Sequence, residues 1–160
     1  MQFAVSATEE LPGANTISTD SRILFLAIAT LAVAGMVVSA VALQRHYAKS
    51  ATAFCEVGER FNCDIVNRSE YSSLMGIPVA GIGVVGYGMI LVLATVWRSR
   101  RETPLRLLVA ALAGLGFALW LTYVEGYVLE TWCILCLSSL GLIGTIAVLA
   151  GLVKVRTGKL

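Results

Sequence analysis

Charge is what this chain has least of. Asp, Glu, Lys and Arg make up 14% of its 160 residues, against about 25% in a typical soluble domain. So few charges cannot wet the surface of a globule this size, which excludes a soluble enzyme, a disordered chain and a free-standing nucleic-acid binder. Residues 1–20 do not read as a secretory leader either: they carry Glu9, Glu10 and Pro12-Gly13 in place of a basic start and an apolar core, so a mobile tail is the expectation there. Nor is there a haem ligand pair, a flavin fingerprint or iron–sulfur spacing. What is present is grease and sulfur. Hydrophobic residues account for 58% of the chain, and four cysteines are its only concentrated chemistry. The net charge of +2 says little until the charges are read loop by loop.

Four nearly charge-free runs, each near the roughly 20 residues that cross a bilayer, absorb the apolar excess. They extend from about Ile23 to Leu43, from Ile77 to Val96, from Leu105 to Val124 and from Trp132 to Val153. The second follows the Gly76-Ile77-Pro78 break and the third sits behind Pro104. The expected fold is therefore an all-α integral membrane bundle of four spans, with a loop over 44–76, a short turn from Glu125 to Thr131, a mobile tail over 1–20 and a second tail over 156–160. With four spans both termini share one side. That side collects Arg22, Arg98, Arg100, Arg101, Arg106, Lys154, Arg156 and Lys159; the other has Arg45, Lys49, Arg60 and Arg68. Eight against four places the termini inside under the positive-inside rule. All four cysteines, Cys55, Cys63, Cys133 and Cys136, then lie at the outer, oxidising face, where disulfides persist.

Cys133-Ile134-Leu135-Cys136 sets two thiols at i and i+3 where a helix begins, on one face and within reach of a disulfide. Thr131 is the expected N-cap. The helix start favours thiolate, whereas Glu125 and Glu130 oppose it. The bland reading is two buried cysteines packing as small hydrophobes. A zinc site is the other alternative, but Cys55 and Cys63 are seven residues apart with only His46 nearby, unlike the close spacing of zinc ligands. Cys55 and Cys63 flank a polar stretch, Glu56 to Asn62, and taken alone suit a structural disulfide. Beside a helix-end CxxC they also suit a relay, in which a wet pair exchanges with a water-soluble protein thiol and passes two electrons to a greasy pair. A lipid-soluble quinone is the natural acceptor for such a relay. Trp120, Tyr123, Tyr127 and Trp132 stand near the outer end, either lining its pocket or forming an ordinary aromatic belt.

The chain resembles the vitamin K epoxide reductase family in its bacterial, stand-alone form, over about Ile23 to Leu152. The resemblance rests on Cys55, Cys63, the serine six residues on at Ser69, Gly76-Ile77-Pro78 and Cys133-Ile134-Leu135-Cys136. It implies a four-helix bundle around a quinone, capped by the outer loop with a short helix. It also implies roles: Cys55 facing a secreted thioredoxin-like partner supplied in trans, Cys63 exchanging with Cys133, and Cys136 beside the quinone (ubiquinone, menaquinone or phylloquinone). Ser69 matches the family's activity-linked loop serine; capping a loop helix is its plainer role. Two positions depart from animal members: Leu140 stands where they have a tyrosine, and no asparagine matches around Val79. Both favour plain quinone reduction over vitamin K epoxide as substrate.

The expectation is thus a membrane thiol–disulfide oxidoreductase of the bacterial inner or plasma membrane that supports disulfide formation, with no metal and no nucleic acid. A reductase of vitamin K epoxide driven by a dithiol is the related alternative, and a non-enzymatic tetraspan protein with structural disulfides is the alternative of another class. Gly81 to Gly86 matches a dinucleotide-binding pattern literally, but no strand precedes it. Close packing between membrane helices is the better account, for these glycines and for Gly114, Gly116, Gly141 and Gly144. His46 reads as a solvated or interfacial side chain.

Overall fold

The computed structural model describes residues 13–47 and 61–157, with side chains from Ser21 onward. Cys55, Lys49, Arg60 and Lys159 lie outside the described residues. Four helices carry most of the chain: α1 (Gly13–Tyr47), α3 (Val79–Thr95), α4 (Thr103–Tyr127) and α5 (Ile134–Thr157). A six-residue helix, α2 (Cys63–Arg68), a 3-10 turn (Glu70–Ser72) and a two-stranded hairpin of β1 (Ser73–Leu74) and β2 (Ile77–Pro78) fill the segment between α1 and α3. Apolar runs of this length become helices because only a helix satisfies every backbone N–H and C=O within one segment. Among the described residues, α1, α4 and α5 are long and apolar enough to cross a membrane, and α3 is a shorter apolar helix of 17 residues.

Several edges differ from the sequence expectation, each for a visible reason. α1 begins at Gly13, inside the segment expected to be a mobile tail. Pro12-Gly13 is the last helix-breaking pair, and nothing from Ala14 to Asp20 stops the helix. α4 runs on through Glu125 to Tyr127, because the Glu125 carboxylate finds a partner inside the protein. α5 starts two residues late. The Trp132 carbonyl accepts the Asn62 N–H at 3.2 Å, and Trp132 forms a parallel bridge with Phe61, so it stays extended. Thr131 is not the N-cap: its N–H returns to the Glu125 carbonyl at 3.1 Å, while the Cys133 carbonyl accepts the first α5 bond, from the Leu137 N–H at 3.0 Å.

α1 packs on α3 and α5, and α4 packs on α5 and α3. Ile28, Leu107 and Ile146 are wholly buried where these helices meet. Small residues set the closest approaches. A Cβ on Gly35 would fall 2.3 Å from the Tyr87 ring, and one on Gly83 would fall 2.8 Å from Ser39 Oγ. Gly114 likewise abuts Ile143. Gly86, Gly116 and Gly141 have nothing within 4 Å of that position, so close packing does not account for them. The hairpin turn is Met75-Gly76, with φ of 52° and 83°. Positive φ at both central residues is the requirement of a type I′ turn, and it projects a fully exposed Met75. Short connections alternate ends. The 96–102 loop with its arginines closes one end, and the C-termini of α1 and α4 meet α2 and the start of α5 at the other.

Candidate functional site

The chemistry gathers at that second end. Asn62 caps α2, its Oδ1 accepting the Asp64 and Ile65 N–H groups at 3.0 and 3.1 Å. Its own N–H is held by the Trp132 carbonyl. The 61–62 backbone therefore lies alongside Trp132, and the next residue of each strand is a cysteine. Cys63 and Cys133 are both completely buried, in one small cluster with Ala42, Val66 and Leu135, and Cys136 packs against it. Cys63 is disulfide-bonded, whereas Cys133 and Cys136 are free thiols. Asn67, on the following turn of α2, spans the two segments. Its Nδ2 donates to the Cys63 carbonyl at 2.8 Å and lies 3.8 Å from Cys133 Sγ.

Cys133 precedes α5 and is held from the other side by Glu125, whose Oε2 accepts the Cys133 N–H at 3.1 Å. Glu125 is 2% exposed, and its Oε1 has no hydrogen-bond partner among the described residues. The Cys136 thiol lies beside the same carboxyl. A hydrogen bond from Cys136 pushes the Cys133 thiol below the ordinary cysteine range, outweighing burial and the Glu125 charge, which both act the other way.

Below the loop lies a cavity of about 370 Å³ bounded by α1, α3, α4, α5 and the cap. Its walls are mostly apolar, from Val38, Ile82, Phe117 and Leu121 among others, with a few polar groups at set places. Cys136 and Glu125 lie on one wall; His46, Asn67, Ser69 and Ser72 come from the cap side. On α3, Tyr87 donates to the Ser139 carbonyl and meets the Ser139 hydroxyl, both at 2.9 Å. An apolar chamber with a few convergent polar groups, of this volume, suits a small lipophilic ring.

The sequence-predicted residues fall into place unevenly. Cys63, Cys133, Cys136 and Ser69 come together, and Cys55 lies outside the described residues. Ser69 both caps α2, through its hydroxyl to the Val66 carbonyl at 2.8 Å, and lines the cavity. His46 is not a solvated loop residue. It ends α1 half-buried, with Nδ1 2.6 Å from the Asn67 carbonyl oxygen and 3.4 Å from Ser72 Oγ. Trp120, Tyr123, Tyr127 and Trp132 are all absent from the cavity wall. The first three are exposed, as an aromatic belt would be, with Tyr123 stacked on Tyr127 at 4.8 Å. Trp132 instead packs over Gly126.

Asn67, Tyr87, Ser139 and the burial of Glu125 were not anticipated. One signal existed for Asn67, which follows Cys63 by one helical turn. Glu125, an acid ending a long apolar run, was legible only as a boundary.

The family model for the vitamin K epoxide reductase family matches residues 26–150. Among curated proteins, none matches the chain.

Proposed function

Because the chain belongs to the vitamin K epoxide reductase family, we propose that it is a quinone-dependent thiol–disulfide oxidoreductase of the membrane, taking two electrons from an extracytoplasmic thioredoxin-like protein. One observation carries this reading. The Cys133–Cys136 pair stands between the disulfide-bonded Cys63, which shares a buried cluster with Cys133, and an apolar cavity whose wall includes Cys136. A purely structural cysteine framework has no need of that placement.

In this reading Cys55 and Cys63 form the pair that meets the partner. The partner's dithiol becomes a disulfide, and the loop pair becomes a dithiol. Cys63 then attacks Cys133 of an oxidised Cys133–Cys136 pair, displacing Cys136. Attack by Cys55 on Cys63 restores the loop disulfide and leaves Cys133 and Cys136 as the dithiol, the state in which they stand here. A thiolate attacks and a thiolate leaves in each exchange, and the lowered Cys133 thiol makes Cys133 the better leaving group when Cys55 closes on Cys63. A quinone, when bound, supplies the acceptor for two electrons and two protons. Residues of this chain that would hold it are the apolar wall, with Tyr87, Ser139, His46 and Ser69 as the hydrogen-bonding groups available. Asn67, which α2 brings to the cavity wall, adds a further amide there.

The topology completes the proposal. α3 would rise about 26 Å at 1.5 Å per residue, near the roughly 30 Å hydrocarbon thickness, making a fourth span. The arginines of 98–106 then face inward and the cysteine end faces outward. Cys133→Ser and Cys136→Ser should each abolish quinone-dependent oxidation of a thioredoxin-like substrate by the purified protein. Turnover undiminished in either variant would sink the electron path. Supplying vitamin K epoxide with a dithiol in the same assay separates epoxide reduction from quinone reduction.

A further inference from the structure

Glu125 is a buried carboxyl at the site that the exchange chemistry does not use. It sits in the last turn of α4, 2% exposed. Its Oε2 accepts the Cys133 N–H at 3.1 Å, while Oε1 has no partner among the described residues. A carboxyl oxygen left unsatisfied in an interior costs on the order of 1–3 kcal/mol or more. If support of the Cys133 backbone were its only task, the amide of a glutamine would do the same without a titratable group in an apolar wall. The carboxyl also lies beside the Cys136 thiol and lines the same cavity. Among the described residues that form the cavity wall it is the only Asp or Glu.

We propose that Glu125 is the proton carrier of the site, receiving the proton that Cys136 loses and releasing it into the cavity. This rests on the quinone-dependent reading above and names a residue that reading leaves idle. Oxidation of the Cys133–Cys136 dithiol breaks two S–H bonds, forms one S–S bond and yields two electrons and two protons. The acceptor, a quinone, consumes both electrons and two protons on becoming a quinol. Glu125 as carboxylate takes the Cys136 proton through its unpartnered oxygen, gives it up on the cavity side and returns to carboxylate. The Cys133 proton leaves to solvent at the cap, and a proton from solvent makes up the second that the acceptor needs. The Cys133 N–H bond to Oε2 fixes the carboxyl in place throughout.

The test compares wild type with Glu125→Gln and Glu125→Asp by two measurements. In steady-state quinone reduction, Glu125→Gln, which keeps an oxygen for the Cys133 N–H, should lower kcat about 100-fold or more with KM little changed, the range of lost acid–base catalysis. Glu125→Asp, with its carboxyl displaced, should recover part of that loss. In oxidised-minus-reduced infrared difference spectra of quinone-free protein, cycled with a chemical dithiol and disulfide, the proton lost by Cys136 stays on Glu125. A carboxylic C=O band that shifts in heavy water should therefore appear in wild type, move in Glu125→Asp and vanish in Glu125→Gln. Turnover in Glu125→Gln within twofold of wild type would overturn the proposal, as would the absence of such a band. Should the band be present while wild type fails to reduce any quinone, the proton transfer stands and the quinone reading falls. If Glu125→Gln does not fold, the Glu125→Asp band shift decides alone.

Discussion

Asn67 acts at two places at once, binding the Cys63 carbonyl and approaching the Cys133 sulfur. Its amide thus bridges the two halves of the proposed exchange. Asn67→Ala should cost about 1–3 kcal/mol, the range for leaving a buried polar group unsatisfied, read as a lower unfolding midpoint in detergent. It should also slow electron transfer from the loop pair to Cys133. Destabilisation without slower transfer would reduce Asn67 to a scaffold residue. The Cys133 thiol makes a second prediction. Hydrogen bonding from Cys136 holds it below the ordinary range, so its thiolate persists to lower pH than that of a free cysteine. The ultraviolet thiolate absorbance of reduced protein should therefore persist to pH values where ordinary thiols are protonated. Cys136→Ala removes the hydrogen bond and should move that titration toward higher pH; a titration that stays put contradicts the assignment.

At the scale of elements, the helices were legible because the bilayer imposes one simple rule on sequence. Long runs free of charge, bounded by Pro78, Pro104 and arginines, mark where α3, α4 and α5 lie. What the runs do not encode is contact between distant segments. Trp132 belongs to an apolar run, yet the Asn62–Trp132 bond and the Phe61 bridge hold it out of α5. Glu125 reads as the end of a span, yet the Cys133 N–H lets it stay buried in α4. The site divides the same way. The cysteines and Ser69 announce themselves by spacing and by likeness to a family, whereas Asn67, Tyr87 and Ser139 become visible only when α2, α3 and α5 converge. Glycine packing is equally invisible in one dimension. Gly35, which no motif singled out, lies under the Tyr87 ring. Gly35→Val should destabilise the protein by about 1–3 kcal/mol through overpacking, and should disturb the cavity through Tyr87. Gly86→Ala, with open space around it, should be neutral or gain up to about 1 kcal/mol from helix propensity. Thermal unfolding of the two in detergent checks the contrast; equal effects would mean that the α1–α3 contact is looser than described.

On the scale of the whole molecule, the scarcity of charge takes on a second meaning. The apolar majority lines a chamber of about 370 Å³, and Glu125, the one buried charged residue among those described, stands at its wall. Arginines cluster at the end away from the cysteines, so one end is suited to orient the bundle and the other to do chemistry. The central claim joins these ends of the account: electrons from a protein dithiol reach a membrane quinone by way of Cys133 and Cys136. Its most direct test is an anaerobic assay of purified protein given excess quinone and excess reduced thioredoxin-like substrate, counting quinol and substrate disulfide together over many turnovers. The account predicts one quinol for each disulfide formed, as a two-electron relay requires, and none from Cys136→Ser. Substrate disulfide formed without quinol, or quinol formed by Cys136→Ser, would contradict it.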